Sequence, residues 1–275
     1  MNRATSATGW VRNPDGTLGW TWNPLTGCLN HDNGLCKGGG FPCYAYKLAN
    51  GRLKQRYLAN VEGIYMPASM KSVLVEAASD PFYPRFWEER LSEPIENPTP
   101  MNPAKRKGIF TCDMSDLFGI GIPESWTEQV MTTIKLCPYH RFYLLTKQPQ
   151  NLIKFSPFPE NCWVGVTATN NQLYREAIYA LAHIDAKVKY ISFEPLLENV
   201  KEYLFRWIDW TIIGAQTKPY KPPEIAWLRE IVEAADKAGI PVFLKDNLSP
   251  LIKWPDSGSW AFENLSNIIR QEMPK

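Results

Sequence analysis

Three cysteines, Cys28, Cys36 and Cys43, are separated by seven and then six intervening residues in the stretch GCLNHDNGLCKGGGFPCYAYKL. Thiolates at such spacing ligate metal. A structural zinc wants four protein ligands and usually a tight Cys pair, which is absent here, so His31 would have to serve as the fourth ligand. An iron–sulfur cluster can instead be held by three cysteines, with one iron left open to an exogenous ligand. Spacing alone leaves the two readings even, beside a third in which the thiols bind nothing. The glycines between Cys36 and Cys43 let the backbone wrap closely around a bulky inorganic group. Cys112, Cys137 and Cys162 are scattered, and their apolar neighbours make them small buried hydrophobes rather than ligands.

The elements that must position these thiols follow from the pattern of the chain. Apolar runs recur at 18–24 (LGWTWNP), 108–114 (GIFTCDM), 141–147 (RFYLLTK), 162–168 (CWVGVTA), 187–195 (KVKYISFEP), 209–216 (DWTIIGAQ) and 240–246 (IPVFLKD). They are nearly continuous rather than alternating, as in parallel strands covered on both faces. Between them lie helical segments: one opening at Pro123, one capped by Asn170 or Asn171, and one ended by Gly239. Strand, helix, strand predicts an α/β protein, and seven strands in order suit a partial (β/α) TIM-like barrel, with a doubly wound open sheet as the alternative. The expected organisation is a single domain over 1–275, with a helical insertion at about 44–107 after the first strand and a C-terminal extension at about 247–275. The cysteines then fall on the loop after the first strand, which favours iron–sulfur over zinc.

Ligand sites of parallel α/β folds lie at the carboxyl tips of the strands. Here those tips read Asp113, Ser115 and Asp116; Thr146 and Lys147; Thr167 and Thr169; Ser192 and Glu194; Gln216 and Thr217; Lys245 and Asp246. Lys147 and Lys245 each follow an apolar strand directly, where a lysine can meet a carboxylate or a phosphate. A charge pair closing the barrel is the plainer use of Glu194 and Lys147.

Composition bounds the rest. The chain has 275 residues, 44% hydrophobic and 21% charged, with a net charge of +2. That is ordinary for a folded domain, so disorder is not expected, and the net charge is too small to announce nucleic-acid binding. Lys37, Lys47, Arg52, Lys54 and Arg56 fall in a stretch from Asn33 to Val61 that holds no acidic residue. Interleaved with tyrosines, this stretch admits nucleic acid as a partner, against the plain reading of a solvated helix face. No apolar run approaches a membrane span and no secretory signal opens the chain, so a cytoplasmic protein with reduced thiols and no membrane partner is expected.

The ordered blocks WNPLTGC, CYAYKLA, RFWEERLSEPIENP, IFTCDMSDLFG, FYLLTKQPQNL, VGVTATNN, ISFEPLLENV, DWTIIGAQ and PVFLKDN resemble a phage-associated family of radical S-adenosylmethionine (SAM) type, over residues 18–248. That resemblance implies a partial radical-SAM barrel and a 4Fe–4S cluster on Cys28, Cys36 and Cys43. SAM would coordinate the open iron and, with one electron from a donor partner, give a 5′-deoxyadenosyl radical that attacks a substrate not named by the sequence. It further implies SAM contacts from Asp113, Ser115, Asp116, Thr167 and Glu194, and catalytic roles for Lys147, Glu194 and Lys245. The spacing departs from the widespread C-x3-C-x2-C form, and Pro42 replaces the aromatic that usually precedes the third cysteine. The competing reading is a non-catalytic zinc or iron–sulfur protein that binds nucleic acid or a phage or host partner.

Overall fold

A computed structural model describes residues 1–5, 8–65, 74–96, 101–201, 205–252, 260–261 and 269–275. Parts of the expected insertion (66–73, 97–100) and of the C-terminal extension (253–259, 262–268) lie outside the described residues. The strands are β1 (Asn2–Arg3), β2 (Trp20–Trp22), β3 (Leu25–Thr26), β4 (His31–Asp32), β5 (Leu35–Cys36), β6 (Arg85–Phe86) and β7 (Gly108–Thr111). They continue as β8 (Arg141–Thr146), β9 (Cys162–Thr167), β10 (Val188–Phe193), β11 (Trp210–Ile213), β12 (Gln216–Thr217), β13 (Tyr220–Lys221) and β14 (Val242–Leu244). The α-helices are α1 (Tyr44–Ala49), α2 (Lys54–Ala59), α3 (Leu74–Ser79), α4 (Glu124–Leu136), α5 (Asn171–Ala182) and α6 (Ile225–Ala238).

The helix boundaries have local causes. Asn170 accepts the Leu173 N–H through its side chain and so caps α5, satisfying one of the free donors of the first turn. Gly239, in the left-handed conformation, ends α6. Pro123 stands at the N-cap of α4, where its missing N–H costs nothing.

The main sheet runs β1-β2-β7-β8-β9-β10-β11-β14. This corrects the expected TIM-like barrel. The sheet is open, and the reason lies at its two edges. β2 is covered on its outer side by antiparallel β1, with Asn2 opposite Thr21 and Arg3 opposite Trp20. On its outer side β14 meets a later segment: the Leu244 N–H donates to the Arg270 carbonyl, and the Glu272 N–H to that of Val242. The two edges that a closed barrel must pair with each other are each taken by a short segment of the chain. Nor is the sheet doubly wound, since its strand order follows the chain without the reversal that defines that fold.

Two compact units divide the chain. Unit 1 comprises 1–4, 11–148 and 159–161; unit 2 comprises 5–10, 149–158 and 162–275. In unit 1, β2, β7 and β8 are parallel neighbours. Trp22, fully buried, packs edge-on to Phe142 at 6.0 Å and donates its indole N–H to the Arg90 carbonyl, tying the segment after β6 to β2. In unit 2, β9, β10, β11 and β14 are parallel. One face of that sheet carries Tyr190 and Trp210, whose rings lie 5.5 Å apart, with Trp10 set 5.9 Å from Tyr190. Gly165 is required beneath this layer, because a Cβ there would stand 2.3 Å from the Tyr190 ring. No described helix is long and apolar enough to cross a membrane.

Candidate metal centre and strand-tip sites

The cysteine segment begins where β2 ends. After β3, Gly27 adopts φ +87, and a Cβ there would meet the Tyr83 carbonyl oxygen at 2.4 Å and that of Phe82 at 2.6 Å. Only glycine passes this point. Gly27 donates its N–H to the Met114 carbonyl, the Ser115 hydroxyl donates to the Gly27 carbonyl at 2.6 Å, and Cys28 N–H donates to the Phe82 carbonyl. Backbone bonds on both sides therefore hold Cys28 in place.

The spacer between Cys28 and Cys36 contains a hairpin. His31–Asp32 pairs antiparallel with Leu35–Cys36 across Asn33 and Gly34, both at positive φ (46° and 85°). Those dihedrals and the Asn-Gly pair mark a type I′ turn. Past the hairpin, the Gly40 N–H donates to the Cys36 carbonyl at 2.7 Å, and the Cys43 N–H returns to the Gly34 carbonyl at 2.8 Å. The glycine loop thus folds Cys43 back against the turn, and Cys43 becomes the N-cap of α1. The wide spacing is two closed loops rather than an extended span.

His31 does not join the thiols as the zinc reading requires. Its Nδ1 accepts the Gly34 N–H, and its ring packs against Tyr46 and Phe82 at 5.0 and 5.3 Å. Among the described residues no three His, Cys, Asp or Glu side chains gather tightly enough for a single metal ion. None of the six cysteines is in a disulfide; Cys112, Cys137 and Cys162 are buried, as their apolar neighbours require.

Lys147 and Asp116 belong with the thiols in unit 1. A Cβ on Gly38 would lie 3.4 Å from Lys147 Cδ and 3.6 Å from Cys36 Sγ, so the lysine stem passes beside the cysteine loop. Asp116, buried, accepts the Lys147 N–H at 2.8 Å, the Thr146 hydroxyl at 2.7 Å and the Phe118 N–H at 3.1 Å. Its carboxylate pins the tip of β8, which makes it a positioning residue. Burial pushes the Cys28 thiol up to about 12, with Asp116 adding to the rise and Lys147 opposing it. Burial raises Cys36 too, against the pull of Lys147. Without a metal these two thiols keep their protons at neutral pH.

At the tip of β7 the backbone turns sharply. Cys112 sits at φ 64, a left-handed conformation that non-glycine residues seldom adopt. That turn sends Asp113 back toward β2, where it accepts the Asn23 amide at 2.5 Å, while Asn23 Oδ1 accepts the Met114 N–H. The Tyr44 hydroxyl donates to the Asp113 carbonyl, linking this turn to the residue after Cys43. Burial raises the Asp113 carboxyl, and its bonds to Asn23 and Thr21 oppose that rise.

Glu194, Lys245 and Thr167 belong to unit 2. Lys245, 4% exposed, pairs with Glu194, whose side chain is the more exposed of the two. Burial pushes the Lys245 ammonium down to about 7, against the pull of the Asp246 carboxylate. This corrects the expected Glu194–Lys147 charge pair: Glu194 pairs with Lys245 instead.

Sequence reasoning missed the hairpin, Asn23 and the left-handed Cys112. Asn33-Gly34 was a readable turn signal, whereas nothing in the pattern marks Cys112.

A parallel-stranded α/β protein with a three-thiol loop beside its first parallel strand is the class this geometry defines. The chain belongs to the DUF5131 family, whose model, described as a protein of unknown function, matches residues 16–250. No curated protein and no solved structure matches it.

Proposed function

We propose that Cys28, Cys36 and Cys43 hold a 4Fe–4S cluster with an open iron, and that the protein is a SAM-dependent radical enzyme. The observation that carries this reading is the pair of closed loops that returns Cys43 to the Cys36 hairpin, so that Cys28 and Cys36 each feel the charge of Cys43 and of Lys147. The donor set fits the group: three soft thiols, a glycine loop beside open space at Gly40, and one lysine to offset anionic sulfur. When bound, such a cluster supplies the single electron that splits SAM into methionine and a hydrogen-abstracting 5′-deoxyadenosyl radical.

The chain's own residues hold and tune this site. Lys147 lowers the cost of thiolate at Cys28 and Cys36, and Asp116 fixes the backbone from which Lys147 reaches. Asp113 and Ser115, on one turn after β7, are the proposed contacts to the SAM amino group. Six cysteines without a disulfide suit a reducing, cytoplasmic compartment.

Anaerobic loading with iron and sulfide tests the reading. About four irons and four sulfides per chain are expected, with proton release as the thiols ligate. Cys28→Ser, Cys36→Ser and Cys43→Ser should each lose most of the iron. SAM should alter the electron spin resonance of the reduced cluster and yield 5′-deoxyadenosine. Zinc alone at the three thiols, or iron uptake unchanged by the serine variants, would sink the proposal.

A second reading concerns the substrate. Lys37, Lys47, Arg52, Lys54 and Arg56 are all exposed, and Tyr44 beside Cys43 is 55% exposed. This surface can follow a phosphate backbone while the tyrosine stacks a base. Single-stranded DNA or RNA should bind with affinity that falls steeply with salt. Neutralising Lys47, Arg52 and Lys54 together should flatten the logarithmic salt slope by about two. A slope unchanged by those substitutions excludes this face.

A further inference from the structure

The amino ends of the parallel strands in unit 1 carry a row of cations, at the end of the sheet opposite the cysteine loop. Arg141, which opens β8, stands opposite Gly108 of β7, and Trp20, which opens β2, stands opposite Ile109. Arg3 of β1 is the register partner of Trp20, and its guanidinium lies 4.8 Å from the centre of that ring. The Lys107 ammonium lies 5.4 Å from the same ring, and the Lys107 carbonyl accepts the Arg141 N–H. The Tyr143 hydroxyl donates to the Arg12 carbonyl at 2.8 Å and accepts from the Arg141 guanidinium at 3.3 Å, and the charges of both arginines reach it. Lys105 and Arg106, both exposed, run directly into Lys107. Fewer carboxylates answer these cations. Glu96 pairs with Lys107, Asp15 feels Arg3 while it accepts from Thr17, and Glu160 stands exposed ahead of β9. Glu93 is taken by the Met1 amino group.

Six cations held along one sheet edge, Arg3, Arg12, Lys105, Arg106, Lys107 and Arg141, repel one another, and a bound polyanion relieves that repulsion. We propose that this edge of unit 1 binds the phosphate backbone of double-stranded DNA. Geometry and chemistry select that partner. Neighbouring strands lie about 4.8 Å apart, so the row from β1 to β8 spans about 14 Å and meets on the order of four phosphates. Four of the six are arginines, whose planar forks take phosphate oxygens in pairs. Among the described residues of this edge no aromatic ring is laid open to a base: Trp20 is half-buried against Arg3 and Lys107, Tyr139 packs against His140, and Tyr143 is buried. Single strands draw affinity from such stacking, whereas a duplex keeps its bases stacked and needs only the backbone contact. Reading the RNA 2′-hydroxyl as a donor takes an acceptor, and these cations have none, so DNA is the duplex the edge suits.

The proposal does not rest on the metal reading or on the surface that carries Lys37 to Arg56, and its test separates them. The full-length chain, without iron, is titrated against a labelled mixed-sequence DNA duplex by fluorescence anisotropy at several salt concentrations. The matching RNA duplex and vesicles containing phosphatidylserine are parallel probes. The DNA duplex should bind with a logarithmic salt slope of about −4. Lys105→Gln with Arg106→Gln, both exposed, should flatten that slope by about two and weaken binding at low salt about tenfold, with the unfolding midpoint of the parent. Adding Arg3→Gln should flatten it by about one more, and the double variant carries the test if the triple fails to fold. Neutralising Lys47, Arg52 and Lys54 should leave duplex binding as in the parent. Absence of duplex binding at low salt, a slope unchanged in the double variant, or tighter binding of the RNA duplex or of the vesicles overturns the proposal.

Discussion

Gly27→Ala will unfold at markedly lower denaturant than the parent chain, by about 3 kcal/mol or more, and, on the proposed cluster reading, will lose iron capture at Cys28 with it. Two costs combine at this position. The positive φ of 87° penalises any Cβ, and that Cβ would press into two backbone carbonyls, at 2.4 and 2.6 Å. Backbone cannot swing aside as a long side chain can. The segment must shift, and the bonds from Gly27 to Met114 and from Cys28 to Phe82 shift with it. Gly40→Ala separates the two costs, since Gly40 also has positive φ (69°) but a Cβ there meets nothing within 4 Å. It should lose only about 1 kcal/mol. Urea titrations with equal slopes would read both values, and equal losses for the two variants would disprove the steric argument.

The second large effect is a loss of stability in mild acid through His140. Its ring is buried, its Nδ1 accepts the Lys107 N–H at 3.0 Å, and burial followed by the Lys107 charge pushes its pKa from 6.5 to about 4. The native state therefore refuses a proton that the unfolded chain accepts between those values. Stability from this group is complete above about pH 6.5, falls as pH drops toward about 4, and then levels. The full effect is about 3 kcal/mol. His140→Asn retains an acceptor for Lys107 and cannot titrate. The difference between parent and variant, measured by denaturant melts from pH 7 to 4, should shrink by that amount; a constant difference would rule out His140 as its source.

The strands of both units were legible because covered parallel strands read as continuous apolar runs, and Asn170 and Gly239 announced helix ends by well-understood chemistry. Openness of the sheet was not legible. The covering segments, Asn2–Arg3 and residues 270–272, are polar and too short to carry a strand pattern, so nothing marked the edges as taken. The site divides in the same way. Thiol count and strand-end position could be read directly. The hairpin could not be read from periodicity, since its arms are two residues each, although its Asn-Gly turn was visible. Asp116 resembled a ligand contact at a strand tip, yet its three acceptor bonds make it a brace for β8.

The cover on β14 has a consequence for biosynthesis. During translation Val242–Leu244 is made well before residues 270–272, and in that interval its outer row of peptide groups has no partner. A nascent strand in that condition is a template for a neighbouring chain on the same message. Arg270, which bonds Asp236 at 2.6 Å and Glu272 at 2.9 Å as it closes the edge, is therefore the residue whose arrival ends the hazard.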